Sequence, residues 1–179
     1  KNKKKVVLFW YPKDFTFVCP TELHAFQAAL GEFEKRNTMV IGASCDTNEV
    51  HFAWLNTAKD NGGIEGVTYP LLADTTRNLS AALDILDAEW VYNEEVNDEI
   101  LEGSNVTFRA TYLIDEEGKI FHESVNDMPL GRNVNEYLRL IDAYTHVQTK
   151  GEVCPANWEE GKEAMSADRN STAAYLASH

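Results

Sequence analysis

The sequence is short of basic residues, with 16 Lys and Arg against 29 Asp and Glu, a net charge of −13. Its only basic run, Lys1-Asn-Lys-Lys-Lys5, is brief and sits at the start. Such a balance repels polyanions and argues against nucleic acid as a partner. Long apolar runs are missing as well: none approaches the roughly 20 residues that cross a bilayer. Nor does a charged start lead into an apolar signal segment. A soluble, cytoplasmic protein with no membrane partner is expected. The chain opens on Lys1 rather than Met and runs at once into a strand pattern, so processing or truncation is expected too. Cysteine is sparse, at positions 19, 45 and 154 only. That is no disulfide framework of a small secreted domain, and it favours catalytic or redox use of at least one thiol. No Cys or His pair has the short spacing of a tetrahedral zinc site. No Cys-x-x-Cys offers dithiol exchange, and no Gly-rich phosphate loop follows a strand. Neither a metal nor a nicotinamide or flavin cofactor is expected.

What the chain does have is the make-up of a globular protein: 179 residues, 44% of them hydrophobic and 25% charged. That is enough for one main domain with a sizeable core. Residues 5–11 form a continuous apolar run ended by Pro12, the pattern of a central strand buried on both faces. Leu23, Phe26, Leu30 and Phe33 recur at helical spacing, predicting one helix from Cys19 to about Arg36, with Gly31 a mild weakness. Residues 38–44 read as a second buried strand. A helix through Val50, Ala53, Trp54 and Ala58 follows, capped by Thr47 or Asn48. A Gly-rich loop at 61–66 leads to a short strand at 69–73, and Asp74 is the expected cap of a helix over 75–86. Residues 88–101 are acidic and read as irregular, with a strand and a solvated excursion. From 105 to 114 the pattern alternates, with Arg109 on one face, and a turn at 115–118 returns a hairpin arm to Val125. Asn133 caps a last long helix carrying Val134, Tyr137, Leu138, Ile141 and Tyr144 inward. This βαβα order followed by a hairpin and a helix predicts an α/β, thioredoxin-like three-layer fold with a central mixed β-sheet. The expected division is a domain over 1–150 and an extended C-terminal arm over 151–179, with a short helix near 171–177.

The stretch from Phe15 to Glu22 is where chemistry is concentrated. A cysteine attacks only as thiolate, and free thiols are only partly ionised at neutral pH. Cys19, followed by Pro20, sits where a helix should begin, and free amide groups and the helix dipole there favour an anion. Arg109, in a strand otherwise short of charge, is the candidate cation. Taken alone, Cys19 could equally be a packed free thiol, and Arg109 could simply pair with a structural carboxylate such as Glu22. Cys45, ending a buried strand, reads as packing, and His24 as structural.

The segment Pro12-Lys-Asp-Phe-Thr16-Phe-Val-Cys19-Pro-Thr-Glu22 resembles the active-site signature of the peroxiredoxins, Pro-x-x-x-Thr/Ser-x-x-Cys. Gly151-Glu-Val-Cys154-Pro-Ala resembles the resolving segment of their typical 2-Cys branch. The likeness covers nearly the whole chain and is nearest to the alkyl hydroperoxide reductase C and peroxiredoxin-1-like subfamily. The resemblance implies a thiol-dependent peroxidase that reduces hydrogen peroxide and organic hydroperoxides in antioxidant defence and redox homeostasis. Cys19 would be the peroxidatic cysteine, and Thr16 and the Cys19 amide would hold the peroxide. Arg109 would stabilise charge, Pro12 would shield the sulfur, Glu22 would orient Arg109, and Arg132 would join that network. Cys154 would resolve the sulfenic acid as a disulfide with Cys19 of a partner subunit. Electrons would come from a thioredoxin-like protein or an AhpF-like flavoprotein reductase. A homodimer is implied, with five dimers in a decamer, and so is a further strand or hairpin before the first strand seen here. Gly62-Gly-Ile-Glu-Gly66 and Tyr175-Leu176 depart from the Gly-Gly-Leu-Gly and Tyr-Phe motifs of easily over-oxidised members, so relative resistance is expected. The rival reading is an oligomeric holdase chaperone or redox-relay scaffold.

Overall fold

The apolar run after Lys4 becomes the middle of the fold. The computed structural model describes residues 3–179; Lys1 and Asn2, which begin the expected basic run and the expected first domain, lie outside the described residues. The elements are β1 (Lys5–Trp10), α1 (Cys19–Ala28), α2 (Leu30–Lys35), β2 (Thr38–Ser44), α3 (Asn48–Leu55), β3 (Leu71–Ala73) and α4 (Asn78–Ala82). They continue with β4 (Leu86–Asn93), β5 (Asp98–Thr107), β6 (Arg109–Ile114), β7 (Ile120–Asn126), α5 (Val134–Lys150) and α6 (Arg169–Ser178). Two compact units result, one through Arg132 and one from Asn133.

The first unit is built on a five-stranded sheet of order β3-β2-β1-β6-β7. The β1, β2 and β3 strands run parallel, whereas β6 pairs antiparallel with both β1 and β7. This is the mixed sheet expected of a thioredoxin-like α/β fold. Because side chains alternate along a strand, β1 feeds two cores. Phe9 stacks on Phe26 of α1 at 4.0 Å, and Tyr11, just past the strand, packs against Trp54 of α3. Trp10 points the other way, into a cluster with Ala43, Ile85, Ala110 and Tyr112.

Several boundaries differ from the sequence expectation. The single helix over 19–36 is two, broken at Ala29 rather than weakened at Gly31, because Ala29 takes φ −89° and ψ 0° and ends one helix while starting the next. The helix expected over 75–86 shrinks to five residues. Arg77, not the expected Asp74, holds the N-cap position, at positive φ and with no side-chain cap bond; Asp74 lies further back and reaches in, accepting from the Ser80 amide (2.8 Å) and hydroxyl (2.9 Å), and Asp84 at positive φ follows the helix. Thr47 is the cap of α3. The acidic stretch expected to be irregular is instead a separate two-stranded sheet, β4–β5. Phe108 interrupts the alternation from Asn105 to Ile114, separating β5 from β6.

In the second unit, Asn133 caps α5 by accepting from the Asn135 amide, and Gly151 ends it at φ 69°, a left-handed position that suits glycine. Val134, Tyr137 and Ile141 are its buried residues, while Leu138 and Tyr144 are half-buried. The arm is not simply extended: Val153 and Met165 form a two-bond antiparallel bridge across it. The tail helix begins at Arg169, earlier than expected, because Asp168 caps it with bonds to the Asn170 and Ser171 amides.

Candidate active site

Strand β1 ends at Trp10, and the chain turns through buried Pro12 into the loop that delivers Cys19 to the first position of α1. Nothing caps this helix start with a side chain; Pro20 has no amide hydrogen, and the Thr21 and Glu22 amides donate to the Val18 carbonyl at 3.0 and 3.3 Å. The loop is strained: Phe15 holds φ 54°, a region costly for a bulky residue. Asp14 pins it, its amide donating to Asp46 Oδ2 at 2.9 Å and its carboxylate accepting from the Tyr11 hydroxyl at 2.8 Å. Its second oxygen lies 2.7 Å from His51 Nδ1 of α3. The Thr16 hydroxyl donates to the Lys13 carbonyl at 2.8 Å, which commits its proton and leaves its oxygen as an acceptor.

Cys19 is buried, and Arg109 Nη1 lies 3.4 Å from its Sγ. The same nitrogen donates to Glu22 Oε2 at 2.7 Å, and Arg109 Nε donates to the Met128 carbonyl at 2.6 Å. Arg132 grips Glu22 more fully. Its amide and Nε donate to Oε1 at 2.9 and 2.8 Å, and Nη2 donates to Oε2 at 2.8 Å. Its Nη1 ties the group to the sheet through the carbonyls of Trp10 and Ala110, both at 2.9 Å. The guanidinium carbon sits 5.0 Å above the Phe9 ring. Burial opposes ionisation of Glu22, but the hydrogen bonds and charge of Arg132, with the charge of Arg109, outweigh it and hold the carboxyl below its ordinary value. A Cβ at the neighbouring Gly131 would stand 3.3 Å from the Val18 side chain, beside the helix start.

The cluster of Cys19, Glu22, Arg109 and Arg132 therefore contains two buried guanidiniums and one buried carboxylate. It carries one uncompensated positive charge, and a thiolate at Sγ brings it to neutrality. An unpaired charge out of water is costly, so the site is arranged to receive an anion.

Cys45 is half-buried and 3.7 Å from the Ser80 hydroxyl. Burial pushes its thiol up, although the Ser80 hydrogen bond and Arg77 oppose the shift. In the second unit, Cys154 Sγ lies 3.7 Å from the Ala143 carbonyl. Burial, reinforced by Glu152 and opposed by Arg139, raises its pKa. Arg139 donates to the Trp158 carbonyl at 3.0 Å, and His146 pairs with Glu152 at 2.8 Å. His24, read as structural, joins α1 to the 59–66 loop through the Gly63 carbonyl at 3.1 Å. The Tyr11–Asp14–His51 network lies outside the sequence expectations. Its only sequence signal is a histidine on the helix after β2, and nothing local pairs it with an aspartate 37 positions earlier.

A mixed sheet of this topology, with a buried cysteine at a helix start facing an arginine on the neighbouring strand, defines a cysteine-based redox enzyme. Residues 1–123 match the AhpC/TSA family model, and residues 143–178 match the C-terminal domain of 1-Cys peroxiredoxin. Alkyl hydroperoxide reductase C of Helicobacter pylori is 42% identical over 175 residues, covering 98% of this chain and 81% of that protein. Peroxiredoxin-2 of Bos taurus is 39% identical over 98% of this chain and 81% of its own length. Among solved structures, the reduced 2-Cys peroxiredoxin of Plasmodium vivax superposes with a TM-score of 0.86 at 39% identity, covering 98% of this chain and 83% of the other. The chain belongs to the AhpC/TSA family, the peroxiredoxins, and is a thiol-dependent peroxidase. Among the described residues no helix is long and apolar enough to cross a membrane, and no group of His, Cys, Asp and Glu is placed to hold a metal ion.

Proposed function

We propose that Cys19 is the peroxidatic cysteine and Cys154 the resolving one, and that the chain reduces hydrogen peroxide and organic hydroperoxides. The observation that carries this reading is the 3.4 Å approach of Arg109 to Cys19 in a cluster one negative charge short of neutrality. The thiolate attacks one peroxide oxygen; the S–O bond forms as the O–O bond breaks, and the departing oxygen takes a proton and leaves as water or alcohol. Arg109 and the Cys19 amide meet the developing charge, and the Thr16 oxygen accepts from the peroxide hydroxyl. Pro12, buried beside the loop, keeps water from the sulfur. Glu22 and Arg132 act as positioning residues for Arg109.

Cys154 then attacks the sulfenic sulfur, forming a disulfide and releasing water, with Cys19 supplied by a partner subunit. Its raised pKa suits a thiol that waits until the sulfenic acid exists. Sulfurs must come to about 2 Å for this bond, so the helix start and the arm over 151–179 open locally in each turnover. The strained Phe15 and the absence of a side-chain cap favour such opening. A thioredoxin-like dithiol or an AhpF-like flavoprotein reduces the disulfide. The working form is a homodimer assembling into a decamer in the cytoplasm, and the departures at 62–66 and 175–176 make it resistant to over-oxidation. One experiment tests the assignment: peroxide consumption by wild type, Cys19→Ser and Cys154→Ser in the presence of a thioredoxin-type dithiol, with wild type turning over. Cys19→Ser should consume nothing, and Cys154→Ser should consume one equivalent and stop. Continued turnover by either variant overturns it.

A further inference from the structure

The β4–β5 hairpin stands apart from the main sheet, its strands pairing only with each other among the described residues. Both outer edges are open, and an isolated two-stranded sheet is marginal in water. Residues 86–107 contain seven Asp and Glu and no Lys, Arg or His. On one face Glu89 lies directly opposite Glu102, beside the Val91–Ile100 pair. Like charges across a ladder destabilise it. On the other face Trp90 lies opposite Leu101 and Tyr92 opposite Glu99. Trp90 is 65% exposed and Tyr92 62%. Trp90 and Leu101, with Leu86 and with Ala81 and Arg77 of the α4 region, border a cavity of about 480 Å³. Arg77 is turned to its own backbone surroundings, donating to the carbonyls of Asn105 (3.0 Å) and Thr75 (3.4 Å).

Carboxylates on an open strand edge are a known protection against self-pairing. They do not account for an exposed tryptophan and Leu101 at the rim of a cavity, nor for two glutamates set opposite each other. Both features make sense together if a third strand of alternating character is added. We propose that the hairpin is a docking arm for an extended, Lys- or Arg-bearing segment of a partner protein, bound by strand addition to an open edge. Period-two alternation sends one set of its side chains to each face. Apolar side chains seat against Trp90 and Leu101, and cationic ones lie against Glu89 and Glu102, removing their repulsion. Charge complementarity selects a basic partner over a second copy of this acidic chain.

The test uses the full chain and fluorescein-labelled peptides read by fluorescence anisotropy: one alternating Lys and Leu, one Glu and Leu, one Lys and Ser. The Lys–Leu peptide should bind, weakening as salt is raised, and should lose about tenfold or more in affinity in Trp90→Ala and in the Glu89→Gln, Glu102→Gln double variant. The other two peptides should bind at least about tenfold more weakly to wild type. The double variant should melt no lower than wild type, since it removes a repulsion, so lost binding there is not lost folding. Peroxide consumption should be unchanged in all variants. Equal binding by wild type and both variants overturns the proposal, as does equal binding of the Glu–Leu peptide. So does a change of sedimentation behaviour in Trp90→Ala, which would assign the face to a second copy. Displacement of the peptide by phosphatidylcholine vesicles would assign it to a membrane and overturn the proposal as well.

Discussion

Arg109 Nη1 lies 3.4 Å from Cys19 Sγ although the two residues are 90 positions apart. The contact follows from sheet order. β6, which begins at Arg109, is the antiparallel neighbour of β1, and β1 launches the loop that ends at Cys19. One nitrogen serves both the sulfur and Glu22, so the geometry depends on a planar, multi-donor cation.

Arg109→Lys should therefore behave almost as a deletion. An ammonium is a point charge on a flexible stem and does not reproduce the donations to Glu22 and the Met128 carbonyl. The second-order rate of Cys19 oxidation by hydrogen peroxide, measured by stopped-flow tryptophan fluorescence, should fall by about 10²-fold or more. A loss of less than about threefold would show that the arginine only fills space.

Glu22→Gln should destabilise the fold by about 3–5 kcal/mol, because it leaves two buried guanidiniums without their anion. In wild type the folded carboxyl titrates below its ordinary value of 4.5. Its contribution is thus present above that value and is lost as pH falls through the folded pKa. Denaturant midpoints of wild type and variant should converge on acidification below about pH 4 and stay apart near neutrality. A constant gap would remove the charge argument.

The His51–Asp14 pair has the opposite sign. Burial lowers the imidazole pKa, but the hydrogen bond and charge of Asp14 overcome this and raise it above 6.5. Stability from the pair is fully present below pH 6.5 and is lost as pH rises through the folded value. His51→Gln should lower the melting temperature more at about pH 5.5 than at about pH 8.5. Since Asp14 anchors the Cys19 loop, proteolysis of that loop should accelerate in the same variant and in Asp14→Asn.

Cys45→Ala should leave peroxide turnover within about twofold of wild type. Its thiol is pushed up by burial and lies 3.7 Å from the Ser80 hydroxyl. Iodoacetamide should label Cys45 last of the three thiols, followed by mass spectrometry of peptides from the reduced protein. Early labelling of Cys45 would mark it as a third reactive thiol.

Much of the framework was legible because it rests on local signals. The β1 run, the Thr47 and Asn133 caps and the β6–β7 turn all depend on residues a few positions apart. The break at Ala29 carries no local signal, because alanine is an excellent helix former. Acidic composition hid the β4–β5 hairpin, although Trp90, Val91, Tyr92, Ile100 and Leu101 have strand character.

The sequence by itself determined that a strand would lead into a loop delivering Cys19 to a helix start, because the apolar run, Pro12 and Pro20 act through near neighbours. It also determined Cys154 as the second thiol of the likeness. Only the tertiary structure decided that Arg109 and Arg132 share one carboxylate, that their sum leaves a positive charge for Cys19, and that Asp14 is held by Tyr11 and His51. Those facts depend on which strand lies beside which and on how deeply each charge is buried. Pairing order and desolvation are properties of the packed chain, and no short stretch of residues encodes them.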